Sequence, residues 1–545
     1  MLPLPLEPTD DRANPVFRDA ASCKKWLAQF QLTNLQLAHS LLLTEINELN
    51  RYPLSGLERL NTLELLRDTV RYVQEGYAKK LVAKPLPLSE SELIAFLAIV
   101  QLWQAMALGY QRCLQTHLTG DKQLARHGAL LCQRSLRYSG LAIFEHLRTG
   151  YEIDGRLWRQ LHSLYAIAEE RGLLFEKVPD PQSENSPPNK SQPTCHDTYL
   201  TTLLTSYARP AELSRAQLQL LGSWLPQWCG ILIVERSYTA SKGDAQPLAF
   251  DLSDSPHGLQ PARIVKAGES MRYLAMVPLS KLIRVKTILL QQGKTPQQVE
   301  LGELGSNREC IELLTFLHQC WCEDRDMRFV ARNQADQRAL LYYNPGRIYA
   351  QLTGKAYKPP AKSAEHDSAA RKQIETFGRV LQDSPDRKAA ETGSPLETWH
   401  IDNETILGAQ LTRAGTSGGQ LSRHQLVALR TGDAESYALG VATWVKIMRT
   451  GQLRVGVRYL PGKVDPVTLQ AAGPDRTTSD KSAPAFLLQA VPALNIPPSL
   501  VVTRDWFKPG QVVEVLRPHG EKQNVKMGFS VEHGTDYERV SFTPA

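Results

Sequence analysis

Trp399-His-Ile-Asp-Asn-Glu-Thr-Ile-Leu-Gly408 is the stretch on which the reading of this 545-residue chain turns. Its first residues read as a strand. Asn403-Glu404-Thr405-Ile406-Leu407-Gly408 then reads as a polar elbow with a terminal glycine, and a second strand begins at Ala409. Upstream stands Arg328-Phe-Val-Ala-Arg332. Taken as a site, the two arginines and the turn converge on one ligand. Taken as ordinary chain, arginines at i and i+4 are a solvated helix end beside a basic loop.

Working outward, Arg338-Ala-Leu-Leu-Tyr-Tyr343 and Arg347-Ile-Tyr-Ala-Gln-Leu352 read as a β-hairpin around Asn344-Pro-Gly346, which sets the arginines at the entrance to a β-domain. Residues 355–395 carry Lys, Ala, Ser, Asp, Glu and Pro with few large apolar side chains. They read as an inserted loop, into which a short helix fits at 370–381. Strand pattern returns at Trp399 and continues through 409–412, 425–429, 437–448 and 453–460, with Thr450-Gly-Gln452 as a hairpin tip. Such short strands with turns between them predict a small antiparallel barrel over 325–462. The stretch 462–484 reads as loop. Further strand-like runs at 486–491, 499–503, 511–516, 525–531 and 538–542 make 485–545 either the completion of that barrel or a second β-module.

The front of the chain has a different period. From about residue 22 to 174 apolar residues recur at helical spacing, as in Leu57, Leu60, Leu63, Leu66, Val70 and Val73. Breaks fall at Tyr52-Pro53, at Lys84-Pro-Leu-Pro87 and at Thr119-Gly-Asp121. Residues 1–178 therefore read as a helical bundle without a regular repeat. Residues 179–198 are too poor in apolar side chains to offset their ordering entropy and read as a disordered linker. Residues 199–324 mix helical and strand patterns, with no chemistry attached. The fold class expected is multidomain α+β, a helical N-terminal bundle followed by a C-terminal antiparallel barrel.

Composition bounds the function. The chain is 22% charged and its net charge is +7, too diffuse for a protein that binds nucleic-acid polymers. Residues 325–395 hold 13 Lys/Arg against 8 Asp/Glu, so this segment alone carries +5 of the +7, which fits an anionic ligand nearby and equally a basic linker with no ligand. The eight cysteines are scattered and only Cys320-Trp-Cys322 is close-spaced, which points to reduced thiols in a cytoplasmic protein and to no zinc site. The N-terminus has no secretory pattern. Residues 93–111 run without a charge, but Gln101, Gln104 and Gly109 interrupt them, and Ser89-Glu-Ser-Glu92 ahead has the capping-box pattern of a soluble helix. A buried core helix is expected there, and no transmembrane segment. No metal-ligand cluster, Gly-x-Ser-x-Gly, phosphate loop or dinucleotide fingerprint occurs, so no catalytic residue and no enzymatic activity is expected.

Arg-x-x-x-Arg at 328–332, Asn-x-Thr-x-x-Gly at 403–408, Leu439-Gly-Val-Ala-Thr-Trp-Val445 and Val455-Gly-Val-Arg-Tyr-Leu460 together resemble a PilZ domain. The resemblance covers the C-terminal part of the chain. It implies a small β-barrel that binds the bacterial second messenger cyclic di-GMP, with Arg328, Arg332, Asn403, Thr405 and Gly408 as its ligand-binding residues. Thr405 stands where the family more often has serine, and Arg332 and Asn403 are farther apart in sequence than is typical. The chemistry suits the ligand. Arginine meets phosphate oxygens and the O6/N7 edge of guanine with planar donors and stacks on bases. Asn403 offers an amide, Thr405 a hydroxyl, and Gly408 a close backbone approach. All of these roles bind and none is nucleophilic. Two functions follow: a cytoplasmic cyclic di-GMP effector that signals through its helical half to a motility, pilus or polysaccharide partner, or a degenerate barrel scaffold that binds a protein partner and no nucleotide.

Overall fold

A computed structural model describes residues 6–179, 192–238, 245–323, 333–355, 357, 397–415, 418–431, 434, 436–471 and 482–545. Arg328, Arg332, residues 180–191 of the expected linker and all of the insertion but residues 355 and 357, with its helix at 370–381, lie outside the described residues; the end of the linker expected at 179–198 is instead helical from Cys195, because Thr194 caps a helix there. Two compact units are present, one from the described residues of 6–84 and 88–323, the other from 85–87 and 333–545.

The first unit is built from α1 (Ala20–Ala28), α2 (Leu35–Arg51), α3 (Gly56–Ala78), α4 (Glu90–Leu118), α5 (Gly128–Thr149), α6 (Gly155–Glu170), α7 (Cys195–Tyr207), α8 (Arg215–Trp228), α9 (Val277–Gln291) and α10 (Asn307–Trp321). A four-stranded sheet of β1 (Val234–Glu235), β2 (Leu248–Asp251), β3 (Gln260–Pro261) and β4 (Met271–Leu274) in the order β1-β4-β2-β3 belongs to it. The helices start where short polar side chains cap them. Ser89 accepts from the Glu92 N–H and Glu92 reaches back to the Ser89 N–H, which closes the capping box of α4. That helix is long and apolar enough to cross a membrane by length and composition, yet Phe96, Ile99, Leu102, Met106, Tyr110 and Leu114 are buried among its neighbours. The core between α3, α4 and α5 also holds charge. Glu64 takes hydrogen bonds from Tyr110 (2.7 Å), Arg134 (3.2 Å) and Arg67 (2.9 Å), and Arg134 is fully buried. Burial alone would raise the Glu64 pKa, but the two guanidiniums hold it below its ordinary value.

The second unit is two barrels in series. β5 (Asn333–Tyr343), β6 (Thr398–Thr405), β7 (Gly408–Arg413), β8 (Leu426–Thr431), β9 (Ala438–Ile447) and β10 (Leu453–Tyr459) close in the order β10-β7-β6-β5-β8-β9. β11 (Val464–Ala471), β12 (Ser482–Leu488), β13 (Ser499–Thr503), β14 (Val512–Leu516), β15 (Lys522–His533) and β16 (Tyr537–Pro544) close in the order β11-β12-β13-β16-β15-β14. Every pairing is antiparallel. The terminal strands thus form a second barrel of their own, and they begin at Val464, inside the stretch read as loop. Asp465 and Pro466 break the sequence pattern there, but Val467 and Leu469 alternate into the barrel and are fully buried.

The hairpin expected at Asn344-Pro-Gly346 is not formed. β5 is followed by α11 (Pro345–Thr353). Asn344 accepts from the Gly346 N–H at 3.0 Å and Pro345 occupies the first turn, where its missing N–H costs nothing. Helical winding then drives Ile348 into a core shared by the two barrels, where Leu426, Ala428, Leu439, Val441 and Leu460 of the first meet Phe486, Leu488, Val501 and Tyr537 of the second. Because both barrels draw on one apolar layer, Ile348→Ala should destabilise this unit by about 2–5 kcal/mol. Chemical denaturation followed by tryptophan fluorescence should show both barrels losing that stability in a single shifted transition.

Candidate functional site

The elbow is a hairpin closed by its own threonine. Thr405 and Gly408 are register partners. The Thr405 hydroxyl donates to the Gly408 carbonyl and accepts from the Leu407 N–H, both at 3.2 Å. The tip of the polar elbow exposes two apolar side chains, Ile406 and Leu407, which are 82% and 63% exposed. Gly408 is required by space. A Cβ there would lie 2.1 Å from the Val457 carbonyl oxygen, so β10 could not pair with β7 beside any other residue. Tyr459, also on β10, locks the same turn. Its N–H donates to the Leu407 carbonyl at 2.9 Å and its phenol to Glu404 at 2.5 Å. Burial, with the Glu404 carboxylate beside it, raises the Tyr459 pKa well above the ordinary phenol value.

Asn403 stands opposite Gln334 on β5 and Gln410 on β7. Among the described residues no hydrogen bond holds its side chain. Arg328 and Arg332 are outside the description, but Arg332 is covalently joined to Asn333, whose register partner is Glu404. The insertion runs between β5 and β6, which are neighbours in the barrel, so the entry of β5 lies beside the elbow despite the sequence distance.

Register also assembles a surface that the sequence reading missed. Arg338, His400, Thr412, Arg454 and Lys446 are successive partners across β5, β6, β7, β10 and β9, and they alternate with the buried Ala339, Trp399, Leu411, Val455 and Val445. They form one row on the outer face, which at about 4.8 Å per strand spans about 19 Å. The neighbouring row runs Asn403, Gln410, Gly456, Trp444. Trp444 lies across Gly456, where a Cβ would come within 2.2 Å of its Nε1, and the Lys446 ammonium sits 5.8 Å from the indole. Asp402, at an irregularity of β6, accepts from Gln410 at 2.9 Å and Thr412 at 2.7 Å. The Arg454 Nε is buried without a hydrogen-bond partner among the described residues. Gly456 inside a strand pattern was the available signal, since such a glycine marks a close approach.

This face offers guanidiniums, an ammonium, amides and an indole. It can hold an anion that carries planar rings. Among the described residues no three His, Cys, Asp or Glu side chains gather as a metal set.

A helical unit followed by two closed antiparallel barrels, the first with a cationic tryptophan-bearing face, defines a multidomain α+β protein. Residues 21–237 match the family model described as the N-terminal domain of the cyclic-di-GMP receptor FimW, and residues 467–545 match that of the FimW C-terminal β-barrel domain. These two matches take in the front and the rear of the chain. It is similar along its length to the cyclic-di-GMP receptor FimW of Pseudomonas aeruginosa, 22% identical over 556 residues that cover 95% of this chain and 89% of the relative. The first barrel lies between the two matched regions.

The geometry separates stability from ligand contact within the motif. Gly408→Ala should cost about 1–3 kcal/mol through overpacking against β10. Asn403→Ala should stay within about 0.5 kcal/mol of the parent, as for a surface substitution. Thermal denaturation of the two variants side by side checks both.

Proposed function

We propose that the chain is a cyclic di-GMP-binding effector whose first barrel is a PilZ-type domain. The observation that carries this reading is the register that brings the entry of β5 beside Glu404 and Asn403 at the edge of the cationic face. Arg328 and Arg332 meet the phosphates and the guanine edges, Asn403 faces a base, and the hairpin closed by Thr405 and Gly408 presents backbone at close range. Trp444 and Arg454 lie two to three strands away, within the span of a dinucleotide, and supply stacking and charge. The name of the Pseudomonas relative supports the same ligand. Ligand binding then signals through the helical half to a motility, pilus or polysaccharide partner. The cytoplasm suits the eight cysteines, all unpaired and buried.

One observation favours a second reading, a barrel scaffold that binds no nucleotide. Thr405 and Gly408 have complete structural reasons to be what they are, so their presence alone does not require a ligand. Calorimetric titration with cyclic di-GMP, with GTP as control, decides between the two. The effector reading expects saturable binding that is absent with GTP and weakened at least about a hundredfold in Arg328→Ala/Arg332→Ala, through loss of two charge-assisted contacts. A well-folded parent that binds no cyclic di-GMP would leave the scaffold.

A further inference from the structure

Arg458 belongs to two places at once. It is the register partner of Gly408, and the Cβ that Gly408 lacks would stand 3.1 Å from the Arg458 Cα. The space a side chain on Gly408 would take is filled by the backbone of Val457 and Arg458, so the two strands lie close at this point with the Arg458 side chain beside the hairpin. The guanidinium of that arginine is ion-paired through Nη2 to Glu532 on β15 of the second barrel. Glu532 also accepts from the Tyr537 phenol at 2.8 Å, and Tyr537 is buried in the apolar layer between the barrels. The Arg458 side chain remains 43% exposed and Glu532 26%. An ion pair that open to water is weak and exchanges its partner readily.

The segment that Glu532 anchors is the irregular part of its barrel. The β15–β16 ladder shifts register between Met527 and Ser530 and again between Ser530 and Glu532. Phe529 and Val531, in that interval, are exposed. The ion pair ties this stretch to the first barrel alongside the Thr535 N–H to His424 carbonyl bond and the Leu426 N–H to Asp536 bond at its turn, both 2.9 Å, while the Tyr537 phenol holds Glu532 from within the second barrel.

We infer that Arg458 is a shared cation, held by the Glu532 carboxylate in the free protein and taken over by a phosphodiester of the ligand at the 403–408 hairpin, so that binding releases the β15–β16 segment. The inference rests on the proposed reading of the first barrel as the ligand site. A phosphate laid against the backbone of Leu407 and Gly408 is one strand spacing from Arg458, about 4.8 Å. A guanidinium takes phosphate oxygens in the same two-pronged geometry in which it takes a carboxylate. Glu532 is thus a resident anion at the edge of the site, and its departure carries the binding event into the second barrel.

The test uses the full chain, titrated with cyclic di-GMP and followed by hydrogen exchange over residues 522–544. Glu532→Gln keeps the shape and the acceptor for Tyr537 but removes the competing charge. It should tighten binding about two- to fivefold and show, without ligand, the faster exchange that the parent shows only with ligand. Arg458→Gln should weaken binding about tenfold or more. The swapped pair Arg458→Glu/Glu532→Arg should recover the parent melting temperature while staying weak in binding, which a purely structural ion pair would not do. Unchanged affinity in Glu532→Gln, no ligand effect on exchange over 522–544, or recovery of binding in the swapped pair overturns this inference and leaves the ligand reading standing. A parent that binds no cyclic di-GMP overturns both.

Discussion

One strand closes the first barrel. β5 pairs with β6 through its first half and with β8 through its second, with Ala339 and Leu340 common to both ladders. No other strand bridges those two edges, so a slip of one residue in β5 would turn every side chain of that half-barrel over. The register is held from inside. Ala339 faces Trp399, which is fully buried, and the Arg413 guanidinium lies 5.2 Å from the indole. Arg413 is paired with Glu397 at 2.7 Å, and Glu397 in turn accepts from Tyr343 at the far end of β5 (2.9 Å) and from the Gly419 N–H (2.5 Å). Removing one partner of a buried pair such as this leaves an uncompensated charge, which costs about 3–5 kcal/mol. The same network that closes the barrel therefore fixes which face of β5 looks outward.

That choice of face divides the barrel surface in two. Where β8 and β9 pair, the outward side chains are Leu426, Ala428, Leu439 and Val441, and they are covered by Ile348 and the second barrel. Where β5, β6, β7, β10 and the end of β9 pair, the outward side chains are arginine, histidine, threonine and lysine. A closed barrel has no edge to protect, so its outer faces are available for separate tasks. Here one face is a packing surface and the other a polar one, with Arg458 at the seam between them.

Strands with clean apolar alternation were legible from the sequence, and so were helices with caps and breaks, such as α4 behind Ser89. The misreadings have local causes. Arg347-Ile-Tyr-Ala-Gln-Leu352 alternates well enough for a strand, but Ile348 and Leu352 are also four apart, and the cap at Asn344 with Pro345 after it is a helix start. The second barrel was read to begin late because Asp465 and Pro466 interrupt the alternation that Val467 and Leu469 continue. The basic row escaped for a deeper reason. Its members come from five strands whose pairing order, with β7 next to β10, is not the order of the chain.

The weight of each residue in a ligand argument depends on whether folding already explains it. Thr405 closes the hairpin and Gly408 admits β10, so both would be kept by a barrel that had no ligand. Tyr459 and Glu404 hold the same turn. Asn403 is different, because no hydrogen bond among the described residues uses its amide, and so is Arg454, whose buried Nε has no partner there. A buried donor left unmatched costs about 1–3 kcal/mol, and a group of that kind at a surface is matched when something binds. The case for an anionic ligand on this face therefore rests on the side chains that the fold leaves unoccupied, and the motif that first drew attention to it serves mainly to build the backbone on which they stand.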